Sequence, residues 1–233
     1  QDAVPIMLGQ EFGGWASQVR HGVARVKAAR GNLLELSIGG TALGTGLNAP
    51  ADWPQRMCKV LGETAIAGVR PAENLFEAMG SRDALVEASG ALKAVAVSLA
   101  KIASDIRLLS CGPRTGIGEI AIPELQPGSS IMPGKVNPVM PEMMLQVCAQ
   151  VVGNDAAVTL GGLYGQLDLN VMMPLMAHNL LQSIGLLSAA CRTFDERCVS
   201  GGPVMPNNPD NVKGIVANRE RARSLVENSL MPV

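Results

Sequence analysis

The stretch "DALVEASGALKAVAVSLAKIASDIRLLS", residues 83–110, carries the clearest periodic signal in this chain. Apolar residues recur in it every seven positions, in two sets offset by three. The first set is Leu85, Leu92, Leu99 and Ile106, and the second is Ala88, Val95, Ile102 and Leu109. Such a pattern over four heptads predicts one long helix, packed at a shallow angle in a left-handed bundle. The Gly and Pro of "CGPR", residues 111–114, end that helix.

The remainder of the chain adds further helices and almost no strand-like alternation. Apolar spacing predicts helices over 7–36, 53–63, 139–160, 170–198 and 217–229. Glycine and proline mark loops at 38–50 and 201–214, and residues 113–137 have no helical period. The predicted fold class is therefore all-α, built as a long-helix bundle.

Composition and charge limit the possible partners. Of the 233 residues, 47% are hydrophobic but only 3% are aromatic, so small aliphatic side chains must fill the core. The net charge is −1 and no cluster of Lys and Arg appears, which predicts no nucleic-acid partner and no anionic membrane surface. The five cysteines are scattered without a Cys-x-x-Cys spacing. They indicate a reducing compartment rather than a disulfide framework or a zinc site.

One uncharged stretch, Leu169 to Cys191, is long enough to span a membrane. It contains Asn170, Pro174 and His178, however, and polar residues of this kind favour a helix buried on all sides in a soluble assembly. Long helices that are apolar on more than one face predict a homo-oligomer. We expect both histidines, His21 and His178, to have structural roles.

The loop "GSSIMPGKVNP", residues 128–138, has the side chains of an anion site. Gly128 and Gly134 permit unusual dihedral angles and close approach of backbone N–H groups to an anion. The polar side chains are Ser129, Ser130, Lys135 and Asn137. Together they predict binding of a small dianion such as a dicarboxylate, with stabilisation of charge that develops during a reaction. A rigid Pro/Gly turn with incidental polar residues is the alternative, and a P-loop is excluded because Val136 follows Lys135.

The same loop resembles the signature of the fumarase/aspartase superfamily, Gly-Ser-x-x-Met-x-x-Lys-x-Asn. "QDAVPIMLGQEF", residues 1–12, resembles the segment that follows the family's catalytic Thr-His-Leu. "GGTALGTGLN", residues 39–48, resembles its second glycine-rich turn, and residues 76–120 resemble class II fumarases closely. The resemblance implies a central helix-bundle domain over 1–200, followed over 201–233 by a loop insertion and the truncated start of a C-terminal domain.

The sequence shares features with two members of the superfamily. Class II fumarase adds water to fumarate to give L-malate, and aspartase adds ammonia to give L-aspartate. "GGTALGTG", residues 39–46, favours fumarase, whereas "GQLDLNV", residues 165–171, and "NPVMPE", residues 137–142, are closer to aspartases. The resemblance favours a fumarase, with an aspartase or a non-catalytic oligomerisation core as alternatives.

The resemblance also implies a mechanism, an anti elimination through a carbanion stabilised as an aci-carboxylate. Ser129 would be the base that removes the C3 proton of malate. Glu142 would pair with the catalytic histidine and orient it. The residues that would bind the substrate carboxylate are Ser130, Lys135 and Asn137. No metal and no organic cofactor is implied.

The family's histidine lies two residues upstream of Gln1, so the sequence lacks it. This predicts that the 233 residues alone are a fragment with little turnover. In the family, three subunits of a homotetramer contribute to each composite active site. The resemblance therefore implies a homotetramer, a fumarate or malate substrate, and an enzyme of the tricarboxylic acid cycle in the cytoplasm, or in the mitochondrion of a eukaryote.

Overall fold

A computed structural model describes residues 3–112, 114–200 and 205–206. The helices are α1 (Leu8–Arg30), α2 (Trp53–Thr64), α3 (Leu75–Gly80), α4 (Asp83–Leu109), α5 (Val139–Leu163) and α6 (Met173–Phe194). The strands have two residues each and are β1 (Glu35–Leu36), β2 (Arg70–Pro71), β3 (Ile120–Ala121) and β4 (Met205–Pro206). The predicted all-α class is confirmed. The predicted helix at 217–229 lies outside the described residues.

The heptad stretch forms α4, as predicted, from Asp83 to Leu109. Ala88, Ile102 and Ile106 are 7%, 7% and 2% exposed, so one face of the helix is a core face. The chain turns away three residues beyond the end of the helix, where Gly112 has a φ of 138°. A residue with a side chain rarely adopts that conformation, which is why a glycine lies at this turn.

The first helix is shorter than the predicted 7–36, because α1 ends at Arg30. The Gly31 N–H donates to the Ala28 carbonyl at 3.0 Å, which is a 3₁₀-type hydrogen bond and narrows the last turn. A short 3₁₀ helix follows over Asn32–Leu34, and β1 then pairs in parallel with β2. Apolar spacing predicted a longer helix because Leu33 does face the core. It packs there from the 3₁₀ helix, beyond the end of α1.

The sixth helix begins at Met173 rather than at the predicted 170, for a reason visible at Asn170. That side chain is fully buried, and its Nδ2 donates to the Gly161 carbonyl at 3.0 Å. Its Oδ1 accepts from the Met172 N–H at 2.8 Å, which satisfies the backbone outside the helix. At the other end, α6 continues into a π-helix over Asp195–Val199.

The chain divides into two compact units. The first unit takes residues from 1–21, 97–148 and 188–233. In it, Trp15 is 5% exposed and its Nε1 donates to Asp105 Oδ2 at 3.0 Å. Lys101 pairs with Asp105 and, at 3.3 Å, with Glu11. The hydrogen bond that Lys101 donates to Asp105 raises the pKa of Lys101, and this network joins the start of α1 to the last turns of α4.

The second unit comprises residues 22–96 and 149–187. Its buried apolar cluster joins α1, α4 and α6 through Ala29, Ala88 and Leu180. A polar network crosses the same unit, where Asp155 accepts from Ser89 Oγ at 2.8 Å and from Lys93 Nζ at 2.5 Å. The Asp155 side chain is only 6% exposed, so its charge depends on these two partners.

Several apolar helix faces are open to solvent in the single chain. Val19 and Val23 on α1 are 44% and 50% exposed, and Leu181 on α6 is 66% exposed. Within a single chain the stretch 169–191 is therefore partly exposed, and its expected burial in an assembly stays a prediction. His21 and His178 are both exposed. None of the helices in the described ranges has the length and apolar character needed to cross a membrane.

Candidate active site

The signature loop lies between the end of α4 and the start of α5, within the first unit. Two backbone hydrogen bonds hold the beginning of this connection against the last residue of α4 and the residues that directly follow it. The Glu119 N–H donates to the Leu109 carbonyl at 2.8 Å, and the Gly118 N–H donates to the Cys111 carbonyl at 2.6 Å. Strand β3 then pairs antiparallel with β4, a pairing that the sequence did not predict. Burial raises the pKa of the Glu119 carboxyl.

The two glycines of the loop are required for different structural reasons. The Gly128 N–H donates to the Lys135 carbonyl at 2.9 Å, and a Cβ on Gly128 would lie 2.3 Å from that oxygen. Gly128 is therefore needed for space, whereas Gly134 is needed for its φ of +80°. The Gly128 N–H closes the loop on itself in this conformation, and the expected approach of other backbone N–H groups to an anion stays a prediction.

Ser129 lies in the turn that these bonds enclose, and its hydroxyl is held by the backbone. Ser129 Oγ accepts from the N–H groups of Ile131 and Met132 at 3.1 and 3.2 Å. Two donors aimed at one oxygen favour its negatively charged form over its neutral form. Two such donors would stabilise an alkoxide at this oxygen.

Ser129 and Lys135 line one cavity of about 380 Å³, together with Glu124 and the intervening backbone. Asn137 lines a neighbouring cavity of about 310 Å³, and Glu124 and Val136 line both. Ser130 is exposed and, like Glu142, lines neither cavity. The structure thus brings Ser129 close to Lys135, places Asn137 next to them, and leaves Ser130 facing solvent.

Glu142 lies in the first turn of α5. Its N–H donates to the Pro138 carbonyl at 3.1 Å, so the helix begins directly after the signature loop. Its Oε1 lies 3.9 Å from Nε of Arg107 in the last turn of α4, too far for a hydrogen bond. Sequence reasoning missed Arg107 and Glu124. The sequence marked Arg107 only as a cation in the last turn of a predicted helix. Cations are common at that position, so this did not point to a site.

A larger cavity, of about 670 Å³, lies in the second unit against the start of α4. Its single arginine, Arg82, donates from Nη1 to the Ala78 carbonyl, and burial lowers its pKa. The Nε of Arg82 is buried without a hydrogen-bond partner, so a ligand in the cavity cannot reach it. Across the described ranges, no three His, Cys, Asp or Glu side chains form a group that could hold a metal ion.

The family model for lyases matches residues 1–153. The chain belongs to the lyase family. Its curated relatives include the class II fumarate hydratase of Mycobacterium tuberculosis, which is 53% identical over 229 residues, covering 98% of this chain and 46% of that protein. The resemblance of the chain to class II fumarases is thereby confirmed.

Solved structures agree with this family assignment. The crystal structure of recombinant class II fumarase from Schistosoma mansoni has a TM-score of 0.83 and 36% identity, covering 99% of this chain and 49% of that one. A fumarate lyase:delta crystallin from Brucella melitensis bound to cobalt has a TM-score of 0.83 and 45% identity, covering 96% of this chain and 46% of that one. The chain spans about half the length of the relatives that it matches.

Proposed function

We propose that this lyase chain is the central part of a class II fumarase, which hydrates fumarate reversibly to L-malate. The observation that carries the proposal is the hydroxyl of Ser129, held by two backbone N–H groups on the same cavity as Lys135. The 53% identity to a class II fumarate hydratase supports it further. The site suits a dicarboxylate because Lys135 offers a positive charge beside a stabilised base.

In the dehydration direction, the Ser129 alkoxide takes the C3 proton of malate. The electron pair of that C–H bond moves into the adjacent carboxylate, which becomes an aci-carboxylate. The C2–O bond then breaks, the hydroxyl leaves as water after receiving a proton from a general acid, and the C2–C3 double bond of fumarate forms. Ser130, Lys135 and Asn137 bind the substrate carboxylates. Glu142 orients the histidine that is expected upstream of Gln1.

Product analysis tests this function. The complete protein that contains this chain, given fumarate with and without ammonium, should form L-malate in both cases, as identified by NMR. An ammonia adduct is not expected, although "GQLDLNV", residues 165–171, resembles aspartases. Aspartate formed only when ammonium is present, with no malate in either case, would show that the chain belongs to an ammonia-lyase.

We propose in addition that the complete protein is a homotetramer with composite active sites. The exposed apolar side chains on α1 and α6, such as Val23 and Leu181, support an interface between copies. Static light scattering at micromolar concentration should give four times the mass of one chain, and a stable monomer would refute the proposal.

The five cysteines are free thiols, which supports the reducing interior of the cytoplasm as the location of the protein.

A further inference from the structure

Arg107 and Glu142 lie on opposite sides of the signature loop. Arg107 is in the last turn of α4 and Glu142 is in the first turn of α5. Arg107 Nε lies 3.9 Å from Glu142 Oε1, and the two side chains are 55% and 36% exposed. Both charges also suit their helix ends, since a cation is favourable at a helix C-terminus and an anion at an N-terminus. The two helix ends that define the base of the loop are thus joined by an ion pair.

We propose that Arg107 is a positioning residue for the reaction, acting through Glu142. The inference rests on the proposed function, in which Glu142 orients the acid–base histidine. Among the described residues, the pair with Arg107 is the one salt bridge of the Glu142 carboxylate, and at 3.9 Å it is too long for a hydrogen bond. The ion pair restricts the carboxylate on one side and leaves its remaining lone pairs free for an imidazole.

The ion pair contributes little to folding, because it is long and half exposed to water. Its effect on catalysis is larger, because a small displacement of a catalytic group raises the barrier steeply. Loss of Arg107 releases the Glu142 carboxylate and loosens the junction between α4, the loop and α5. We therefore expect the two residues to act as one unit in turnover and to matter little for the melting temperature.

A double-mutant cycle in the complete protein tests the coupling. Arg107→Met should lower kcat for fumarate hydration by about 10-fold, with KM within about 3-fold, and Arg107→Lys should restore most of it. In a Glu142→Gln background, Arg107→Met should change kcat by less than about 2-fold, because the partner is already lost. A full 10-fold loss in that background would overturn the inference. If the unmodified protein makes no malate, the proposed function itself fails.

Hydrogen exchange provides a readout that does not depend on activity. In Arg107→Met, the amides of Gly128 and Lys135 should exchange about 3-fold faster or more, because the loop base is loosened. Arg56→Met is the matched control, since Arg56 forms an exposed ion pair with Asp52 at 3.4 Å on α2. The control should leave kcat and loop exchange unchanged. Unchanged loop exchange in Arg107→Met would contradict the inference even if the enzyme is active.

Discussion

Ser129→Ala in the complete protein lowers kcat by about 10²- to 10⁴-fold, the range expected for the loss of a proton-transfer group. KM changes much less, because the hydroxyl acts mainly in the transition state. The melting temperature should stay close to that of the unmodified protein. Ser129 lies on a partly exposed loop, where water replaces it as a partner of the Ile131 and Met132 N–H groups.

Two neighbouring substitutions serve as comparisons for Ser129→Ala. Ser130→Ala should raise KM more than it lowers kcat, because Ser130 is proposed to bind the substrate carboxylate. Lys135→Met should weaken both binding and turnover, since its charge faces the dicarboxylate in the ground and transition states. The alternative, a purely structural turn, predicts a lower melting temperature for Ser129→Ala, with activity falling only in proportion to folded protein. Steady-state kinetics with thermal unfolding separate the two.

Lys93→Met lowers the free energy of unfolding by about 3 kcal/mol, because it leaves the buried carboxylate of Asp155 without its cation. Asp155 keeps its hydrogen bond from Ser89, which limits the loss. The measurement is urea unfolding at a fixed protein concentration. Arg56→Met is the control, and its exposed ion pair should contribute less than about 1 kcal/mol.

A second substitution tests whether the cost arises from the unpaired charge. Lys93→Met combined with Asp155→Leu should recover part of the stability lost by Lys93→Met alone, because it removes the buried anion. Equal losses in Lys93→Met and Arg56→Met would show that water already compensates Asp155. That result would contradict the account in which the Asp155 carboxylate, whose side chain is 6% exposed, is shielded from water.

The helices of this fold were predictable where apolar spacing continued long enough. Four heptads placed α4 correctly from Asp83 to Leu109. Spacing failed at helix ends decided by one or two local hydrogen bonds, such as those of Gly31 and Asn170. It also failed for the pairing of β3 with β4, since two-residue strands are too short to show alternation. Exposed Leu181 shows that spacing predicts an apolar face but not what covers it.

The candidate site was predictable in its residue types but not in its arrangement. The loop sequence identified Ser129 and Lys135 as chemically suited to an anion, and both line one cavity. It gave no sign that the Ser129 hydroxyl would accept from Ile131 and Met132, because such bonds depend on the loop's dihedral angles. Arg107 is 35 positions from Glu142 in the sequence, and only the fold brings the two together.

Deuterium exchange at C3 of malate tests the central claim most directly, because it reports transfer of the C3 proton, the step assigned to Ser129. In deuterium oxide, the complete protein should place one deuterium at C3 of malate, anti to the hydroxyl that was added at C2. In Ser129→Ala, exchange at C3 should fall as steeply as kcat, while malate still binds. Exchange at an unchanged rate in Ser129→Ala would show that another group removes the C3 proton, and the proposed role of the signature loop would be wrong.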